Sequence, residues 1–404
     1  MNYFSKIFQQ TSWQILGKVV TSFSTFIILG MVARNYGKEG TGLFTLALTY
    51  LAIFYMLSDF GFNAHVIKVF KEQNSDIKSE WRHVLGTRLL WSAALVILAV
   101  GLLPFWPFTN PNFAQAVLFG SLAIVGSAVF VTCNLIFQTK LRYDLSVLAS
   151  SIGVLASLII SAAIVSLGWP VTTLLIAHFA GWLIIAIAAL FFIKRFIGNI
   201  NPLFDKKYAM SLLKKTWPIA ATLSLNVLYF RADAFLIAYF KSVADVGIYN
   251  VAYSVFQSAL VLPTFIMNAY YPLMLRSLSG IKLMILGLLG ISIAGSMLTI
   301  FFSPLIINLL TGGGFEGSIT TLQILSLGFP AYFLSSLMMW LFISKDKYKV
   351  MLLLYTSGTI FNLVLNFVYI PKYSFLAAAW TTVISEYLIL LLQAAILTRE
   401  RFSK

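Results

Sequence analysis

Charge is what this chain has least of. Charged residues are 10% of its 404 positions, and only 13 are acidic. Soluble domains are about a quarter charged, so a water-soluble fold of this length is excluded. Cysteine is nearly absent too. Cys133 stands alone, which rules out a disulfide framework and a cysteine metal site. The three histidines, His65, His83 and His178, are scattered, with no HExxH pair, and no GxxxxGK[ST] loop occurs. Zinc hydrolysis and ATP hydrolysis by a P-loop therefore lack their residues. No metal and no cofactor is expected, and the chain is read as not an enzyme. The first apolar run, Trp13–Ala33, is too long for a signal-peptide core and lacks an A-x-A-like site, so it is expected to be retained.

What remains is apolar: 60% hydrophobic residues, with a mean hydropathy of +0.90. The runs are continuous and near the ~20 residues a membrane helix needs, not the alternating pattern of an outer-membrane barrel. Their cores are Trp13–Ala33, Gly42–Gly61, Leu89–Phe108, Phe113–Phe137, Leu145–Gly168, Val171–Ile193, Trp217–Phe240, Gly247–Tyr271, Met284–Asn308, Thr320–Ile343, Met351–Ile370 and Phe375–Leu397. The expectation is an all-α polytopic membrane protein with about twelve transmembrane helices.

The net charge of +15 could point to nucleic acid. The basic residues instead sit between apolar runs, and no nucleic-acid partner is expected. The N-terminus, the even-numbered loops and the C-terminus carry 22 of them; the other loops carry 4, Arg34, Lys38, Lys241 and Lys372. That asymmetry puts both termini in the cytoplasm. The longest basic loop, Lys194 to Lys215, divides the chain into six-helix lobes, 1–200 and 201–404, which then enter the membrane from the same face and can be parallel repeats. Gly42 and Gly247 open equivalent helices 205 positions apart (247 − 42), and Lys140 and Lys345 follow equivalent helices at the same spacing. The halves differ in proline: Pro263 and Pro330 lie within helices eight and ten, and the first half has no such residue. Proline removes a backbone bond and kinks a helix, so these two are hinges for rocking or static kinks.

Arg231 and Asp233 lie deep in helix seven. A charge at membrane depth is costly and by default marks a pathway or a pair. Arg231 either holds an anionic group or pairs with an acid on another helix. Asp233 is two residues on, about 200° around the helix, and shares a polar stripe with Asn226 and Tyr229. Lys18 in helix one supplies a second cation or snorkels to the inner face. Glu386, in the middle of helix twelve, is a coupling site or a structural charge. Asp59 ends helix two and is expected to pair with Arg88 or Lys68. His178 reads as an interhelical hydrogen-bonding residue before a titrating one. Asn362 and Asn366, one turn apart, share a face. The aromatics Tyr229, Phe230, Tyr249, Tyr253, Phe256, Tyr270 and Tyr271 line a sugar-binding surface or form a membrane belt.

Several stretches then resemble a family together: Asn362-Leu-Val-Leu-Asn366-Phe-Val-Tyr-Ile-Pro371-Lys372-Tyr373 with Ala377-Ala-Ala-Trp-Thr-Thr-Val-Ile-Ser385-Glu386; Arg231-Ala-Asp233 with Val246-Gly247-Ile-Tyr249-Asn-Val-Ala252; Gly42-Leu-Phe-Thr-Leu-Ala47; Asp59-Phe-Gly61-Phe; and Gly314-Phe315-Glu316. In order and spacing they resemble the polysaccharide repeat-unit (Wzx-type) flippases of the multidrug/oligosaccharidyl-lipid/polysaccharide exporter superfamily. The resemblance implies a MATE-like pair of six-helix lobes around a central cavity. It implies a substrate, undecaprenyl-pyrophosphate-linked oligosaccharide, carried from inner to outer leaflet of the bacterial cytoplasmic membrane for O-antigen or capsule assembly. The lipid bilayer, a polysaccharide polymerase and a chain-length regulator are the implied partners. A pyrophosphate needs cations at depth, which Arg231 and Lys18 would supply. The alternatives are a cation-coupled drug exporter, whose cavity should be acidic, and a membrane enzyme of polysaccharide assembly, for which no large loop or catalytic domain is present.

Overall fold

The computed structural model describes residues 3–70, 76–106, 110–277 and 280–402; the side chains of 3–9, 11, 68, 69, 222–229, 272, 276 and 400–402 lie outside that description. The described residues form helices α1 (Tyr3–Asp59), α2 (Phe62–Val69), α3 (Ile77–Gly101), α4 (Pro111–Ser121), α5 (Ala123–Thr139), α6 (Tyr143–Ser166) and α7 (Leu174–Ile197). There follow α8 (Lys206–Phe240), α9 (Val243–Ala259), α10 (Val261–Arg276), α11 (Ile281–Thr311), α12 (Glu316–Ser326), α13 (Phe329–Ser344) and α14 (Tyr348–Phe402). No strand occurs among them.

Eight helices among the described residues are long and apolar enough to cross a membrane, or nine when α12 and α13, bent by 43°, are taken as one span. The chain is an all-α polytopic membrane protein, as expected. Two of the helices exceed any single crossing. At about 1.5 Å per residue, 57 residues make far more than the ~30 Å of a hydrocarbon core. Helix α1 breaks at Gly37 (φ 63, ψ −163), a conformation open to glycine, and α14 breaks at Ser374 (φ 53, ψ −135). The exposed surface is apolar. On α11 it carries Leu283, Leu286, Met297, Phe301, Leu305 and Leu309, a face made for acyl chains.

The chain packs as two compact units. The first is Met1–Asn35 with Leu43–Val227; the second is Tyr36–Gly42 with Leu228–Lys404. In the first, Phe62, Trp81, Val84, Leu85, Cys133, Phe137, Ile193 and Leu212 form one buried cluster. The basic loop after α7 is stapled to α3. The Leu203 N–H donates to the Arg82 carbonyl at 3.0 Å, Arg82 Nε donates to the Asn201 carbonyl at 2.8 Å, and a Cβ at Gly86 would stand 2.1 Å from the Leu203 carbonyl oxygen. Tyr208 donates to Glu80 at 2.7 Å; burial and that carboxylate push the phenol pKa up.

In the second unit, Tyr253 stacks on Tyr249 (centroids 5.5 Å apart), and Phe256 lies parallel to Phe329 at 5.4 Å. Its short segment Tyr36–Gly42 crosses α9 backbone on backbone. A Cβ on Gly42 would stand 1.7 Å from the Val243 carbonyl oxygen, and one on Gly247 would stand 2.2 Å from that of Lys38. The contact is reciprocal at the repeat spacing, since Lys38 and Val243 are also 205 apart (243 − 38).

The repeat is far clearer in the structure than in the residues. Helix α12 is α4 displaced by 205 at both ends (316 − 111, 326 − 121), and α14 begins 205 after α6 (348 − 143). The turns share their closing bond. Arg142 N–H reaches the Phe137 carbonyl at 2.8 Å and Lys347 N–H the Phe342 carbonyl at 3.0 Å, with Leu141 (φ 52) and Asp346 (φ 56) in the left-handed region.

Both prolines stand at helix breaks. Pro263 is in the first turn of α10, after a break at Leu260, and Pro330 is in the first turn of α13, after a break at Leu327 and Gly328. The first half breaks without a proline: α4 ends and α5 begins around Leu122, the repeat partner of Leu327 (327 − 122). Beside these two breaks, Ser121 Oγ donates to the Leu118 carbonyl at 3.0 Å and Ser326 Oγ to the Gln323 carbonyl at 2.7 Å.

Candidate functional site

Asp233 is 3% exposed and is held entirely by neutral donors. Tyr249 Oη, from α9, donates to its Oδ2 at 2.5 Å, and Thr382 Oγ1 donates to the same oxygen at 3.2 Å. Asn366 Nδ2 donates to Oδ1 at 3.2 Å and to Asn362 Oδ1 at 2.9 Å. Thr381 in turn donates to Asn366, and Asn362 to Ser385 at 3.3 Å. The residues come from α8, α9 and the stretches of α14 on either side of its break at Ser374. The shared face of Asn362 and Asn366 is thus real, and its purpose is to hold an acid. A buried carboxylate with three donors is satisfied as a hydrogen-bond acceptor.

Arg231 is half-buried and, among the described residues, makes no ion pair. Among the described residues neither Asp233 nor Glu386 stands within salt-bridge distance of it. Arg231, Asp233 and Glu386 are nevertheless close enough for all three to act electrostatically on the Tyr253 hydroxyl. Glu386 is 3% exposed. Asn226 and Tyr229, expected on the stripe with Asp233, have side chains outside the described residues.

Lys18 is exposed, and its face of α1 is polar. Gln14, Lys18, Thr21 and Thr25 follow one another at helical spacing, while Ile15, Leu16, Val19 and Phe23 carry the apolar exposure elsewhere on the helix. The threonines satisfy themselves on α1 carbonyls, Thr21 on Gly17 at 2.9 Å and Thr25 on Thr21 at 2.8 Å. The stripe therefore continues past Lys18 instead of ending in a snorkelling cation.

In the first unit the pairing expected of Asp59 is found with Arg88, which precedes the apolar core of helix three in the sequence yet is 0% exposed inside α3. Its Nη2 donates to the Asp59 carboxylate at 3.1 Å, to the Asp59 carbonyl at 3.2 Å and to Asn63 Oδ1 at 2.9 Å; Nη1 donates to Thr132 at 2.9 Å. Phe62 lies beneath the guanidinium at 5.2 Å. Asp59 thus pairs with Arg88, and the arginine also caps the carbonyl end of α1. His178 bonds Tyr55 Oη through Nε2 at 2.8 Å.

Of the second-half aromatics, Tyr249, Tyr253 and Phe256 are 2%, 4% and 0% exposed and serve packing, whereas Phe230, Tyr270 and Tyr271 are half-buried. Among the described residues no cluster of three His, Cys, Asp or Glu could hold a metal.

A family model described as "Polysaccharide biosynthesis protein" matches residues 7–278. A "Putative O-antigen transporter" of Shigella dysenteriae is 23% identical over 341 residues, 82% of this chain and 83% of that protein. Among solved structures, the lipid II flippase MurJ in an inward closed conformation superposes with a TM-score of 0.76 at 16% identity, over 97% of this chain and 87% of that one. An inward-facing multidrug resistance MATE family transporter of the MOP superfamily superposes at 0.72 with 14% identity, over 95% and 94%. The fold is therefore that of the MATE-like transporters.

Proposed function

The chain belongs to the polysaccharide biosynthesis protein family, and from that premise we propose that it is a flippase for undecaprenyl-pyrophosphate-linked oligosaccharide repeat units. It moves them from the inner to the outer leaflet of the bacterial cytoplasmic membrane, for O-antigen or capsule assembly. The observation that carries this reading is Arg231: a guanidinium deep in a membrane helix, partly open and without an ion pair among the described residues. Such a group is held ready for an anion, and a guanidinium stays charged when partly desolvated and meets phosphate oxygens two at a time. The hydrogen bonds of Asp233 go to Tyr249, Thr382 and Asn366, and none goes to the Arg231 guanidinium among the described residues. Lys18 offers a second cation to the same class of anion from its own polar helix face.

Taking α1 and α14 as two crossings each and α8 as one, the helices support about twelve crossings with both termini cytoplasmic. The polyprenyl tail can remain in lipid while the head group passes, which alternating access permits without bond cleavage. Pro263 and Pro330 are the hinges in this reading, Glu386 with Asp233 the charges that couple or brace it. A polymerase and a chain-length regulator would receive the product. A second reading, a cation-coupled exporter of amphipathic cations, draws on the buried Asp233; the open base beside it argues for an anionic cargo.

Deleting the gene and analysing the lipids tests the proposal. Undecaprenyl-linked oligosaccharide accumulates facing the cytoplasm while surface polysaccharide disappears. Normal surface glycan, in a strain without a second flippase, overturns it.

A further inference from the structure

The first unit has an inward wall that the reading above leaves unused. On α7 the lipid face is marked by exposed Ile176, Leu183, Ile187 and Phe191. At about 100° per residue, His178 and Trp182 lie on the opposite side of that helix. Leu174, Ile185 and Ala189, on the same side, are buried, yet His178 and Trp182 are half-open. On α6, Leu148, Ile152, Leu155 and Ile159 face outward, and Ser146 and Ser150, on the other side, are again half-open. After its break, α1 has no fully exposed residue from 41 to 59, but Thr45, Leu48, Ala52, Tyr55 and Asp59 form a half-open stripe. Helices α6 and α7 thus carry a half-buried face opposite their exposed apolar sides, and α1 carries a half-buried stripe.

The chemistry of this wall is aromatic and neutral. Trp182 lies between Tyr55, with ring centroids 5.7 Å apart, and Phe130 at 6.2 Å. Tyr55 Oη and His178 Nε2 share a hydrogen bond of 2.8 Å. One turn beyond Phe130, Asn134 Oδ1 accepts from Ser146 Oγ at 2.6 Å. One turn beyond Tyr55, the charge of Asp59 is met by Arg88 at 3.1 Å. An interfacial aromatic belt would stand on the lipid side with its polar atoms at the head groups. These rings stand on the other side, with polar atoms bonded to one another.

Flat apolar ring faces beside fixed, uncharged donors and acceptors suit a sugar ring, which has an apolar C–H face and a hydroxyl rim. We propose that Tyr55, Phe130, His178 and Trp182, with Asn134 and Ser146, form a carbohydrate subsite that holds the neutral sugars of the lipid-linked substrate. This rests on the proposed function and adds to it: the pyrophosphate is recognised by charge, the glycan separately by stacking.

The test uses the full-length protein in nanodiscs and two probes: the lipid-linked oligosaccharide extracted from cells lacking the gene, and undecaprenyl pyrophosphate without sugar. Trp182→Leu should weaken binding of the first about tenfold, the loss of one good aromatic contact, and leave the second unchanged. Trp182→Phe, which keeps a ring, should recover most of the affinity. Equal binding of the lipid-linked oligosaccharide by wild type and both variants overturns the subsite and leaves the proposed function standing. Parallel loss of both probes also overturns it, because Trp182 would then be a packing residue. If Trp182→Leu does not accumulate in the membrane, Trp182→Phe and Tyr55→Phe decide, with a smaller selective loss expected and no selective loss contradicting. Wild-type protein that binds neither probe overturns both readings at once.

Discussion

Asp59 and Asp233 are both acids in apolar surroundings, and the two units treat them in opposite ways. Asp59 meets a cation: Arg88 spans its carboxylate, its carbonyl, Asn63 and Thr132. Asp233 meets only hydroxyls and amides, while the base two residues earlier makes no ion pair among the described residues. A pair closed on itself locks helix ends together. An acid satisfied by neutral donors leaves its neighbouring base available. In the function we propose, the first arrangement belongs to architecture and the second to a site, although the sequence offers each as an Asp and an Arg in a membrane helix.

Breaking the second arrangement should have the largest effect. Arg231→Ala should abolish surface glycan with the protein still in the membrane, and Arg231→Lys, which loses the planar fork, should restore only part of it. Immunoblots of membranes beside glycan gels separate this from unfolding. If Arg231→Leu with Asp233→Asn restored full transport, the base would be architecture after all. Next comes the closed pair. Arg88→Ala strands Asp59 and should cost about 3–5 kcal/mol, read as lost abundance and a lower melting temperature in detergent. Arg88→Leu combined with Asp59→Asn should recover part of that stability. Tyr249→Phe removes one donor from Asp233 and should cost about 1–3 kcal/mol, with transport falling more than abundance.

The smallest effects concern the helix breaks. Pro330→Ala should leave the bend between α12 and α13 in place, because α4 and α5 part at the equivalent position without proline. Spin-label distances across the bend, unchanged between wild type and the variant, check this. Pro263→Ala should matter more for transport than Pro330→Ala, since the break at Leu260 has no counterpart in α1, which runs on to Asp59.

Hydropathy made the spans legible, since bilayer solvation acts on one segment at a time. It also made Arg231 and Asp233 conspicuous. It misplaced Arg88, because a window average registers a charge at the end of an apolar run and cannot register the carboxylate, carbonyl and amide that accept it from other helices. Asn362 and Asn366 were legible as a face, since helical spacing is local; Tyr249 as their companion on Asp233 was not, since that bond joins α9 to α8. The repeat was faint in residue identities and plain in backbone turns, because the turn at Leu141 and Asp346 constrains φ and ψ more than it constrains side chains. Proline marked the breaks before Pro263 and Pro330, while the break at Leu122, which has no proline beside it, carried no signal in the residues.

The central claim is that this chain carries a pyrophosphate-linked glycan across a bilayer and that Arg231 is the base that engages it. The direct measurement is transfer in proteoliposomes. Purified protein is reconstituted with its lipid-linked oligosaccharide, a membrane potential and proton and sodium gradients are imposed in turn, and the glycan in the outer leaflet is followed by its accessibility to an impermeant oxidant. Wild type should change the accessible fraction under at least one gradient, and Arg231→Ala should not. A wild-type protein that leaves the glycan's leaflet unchanged under every gradient, or an Arg231→Ala variant that moves it as fast as wild type, would contradict the account.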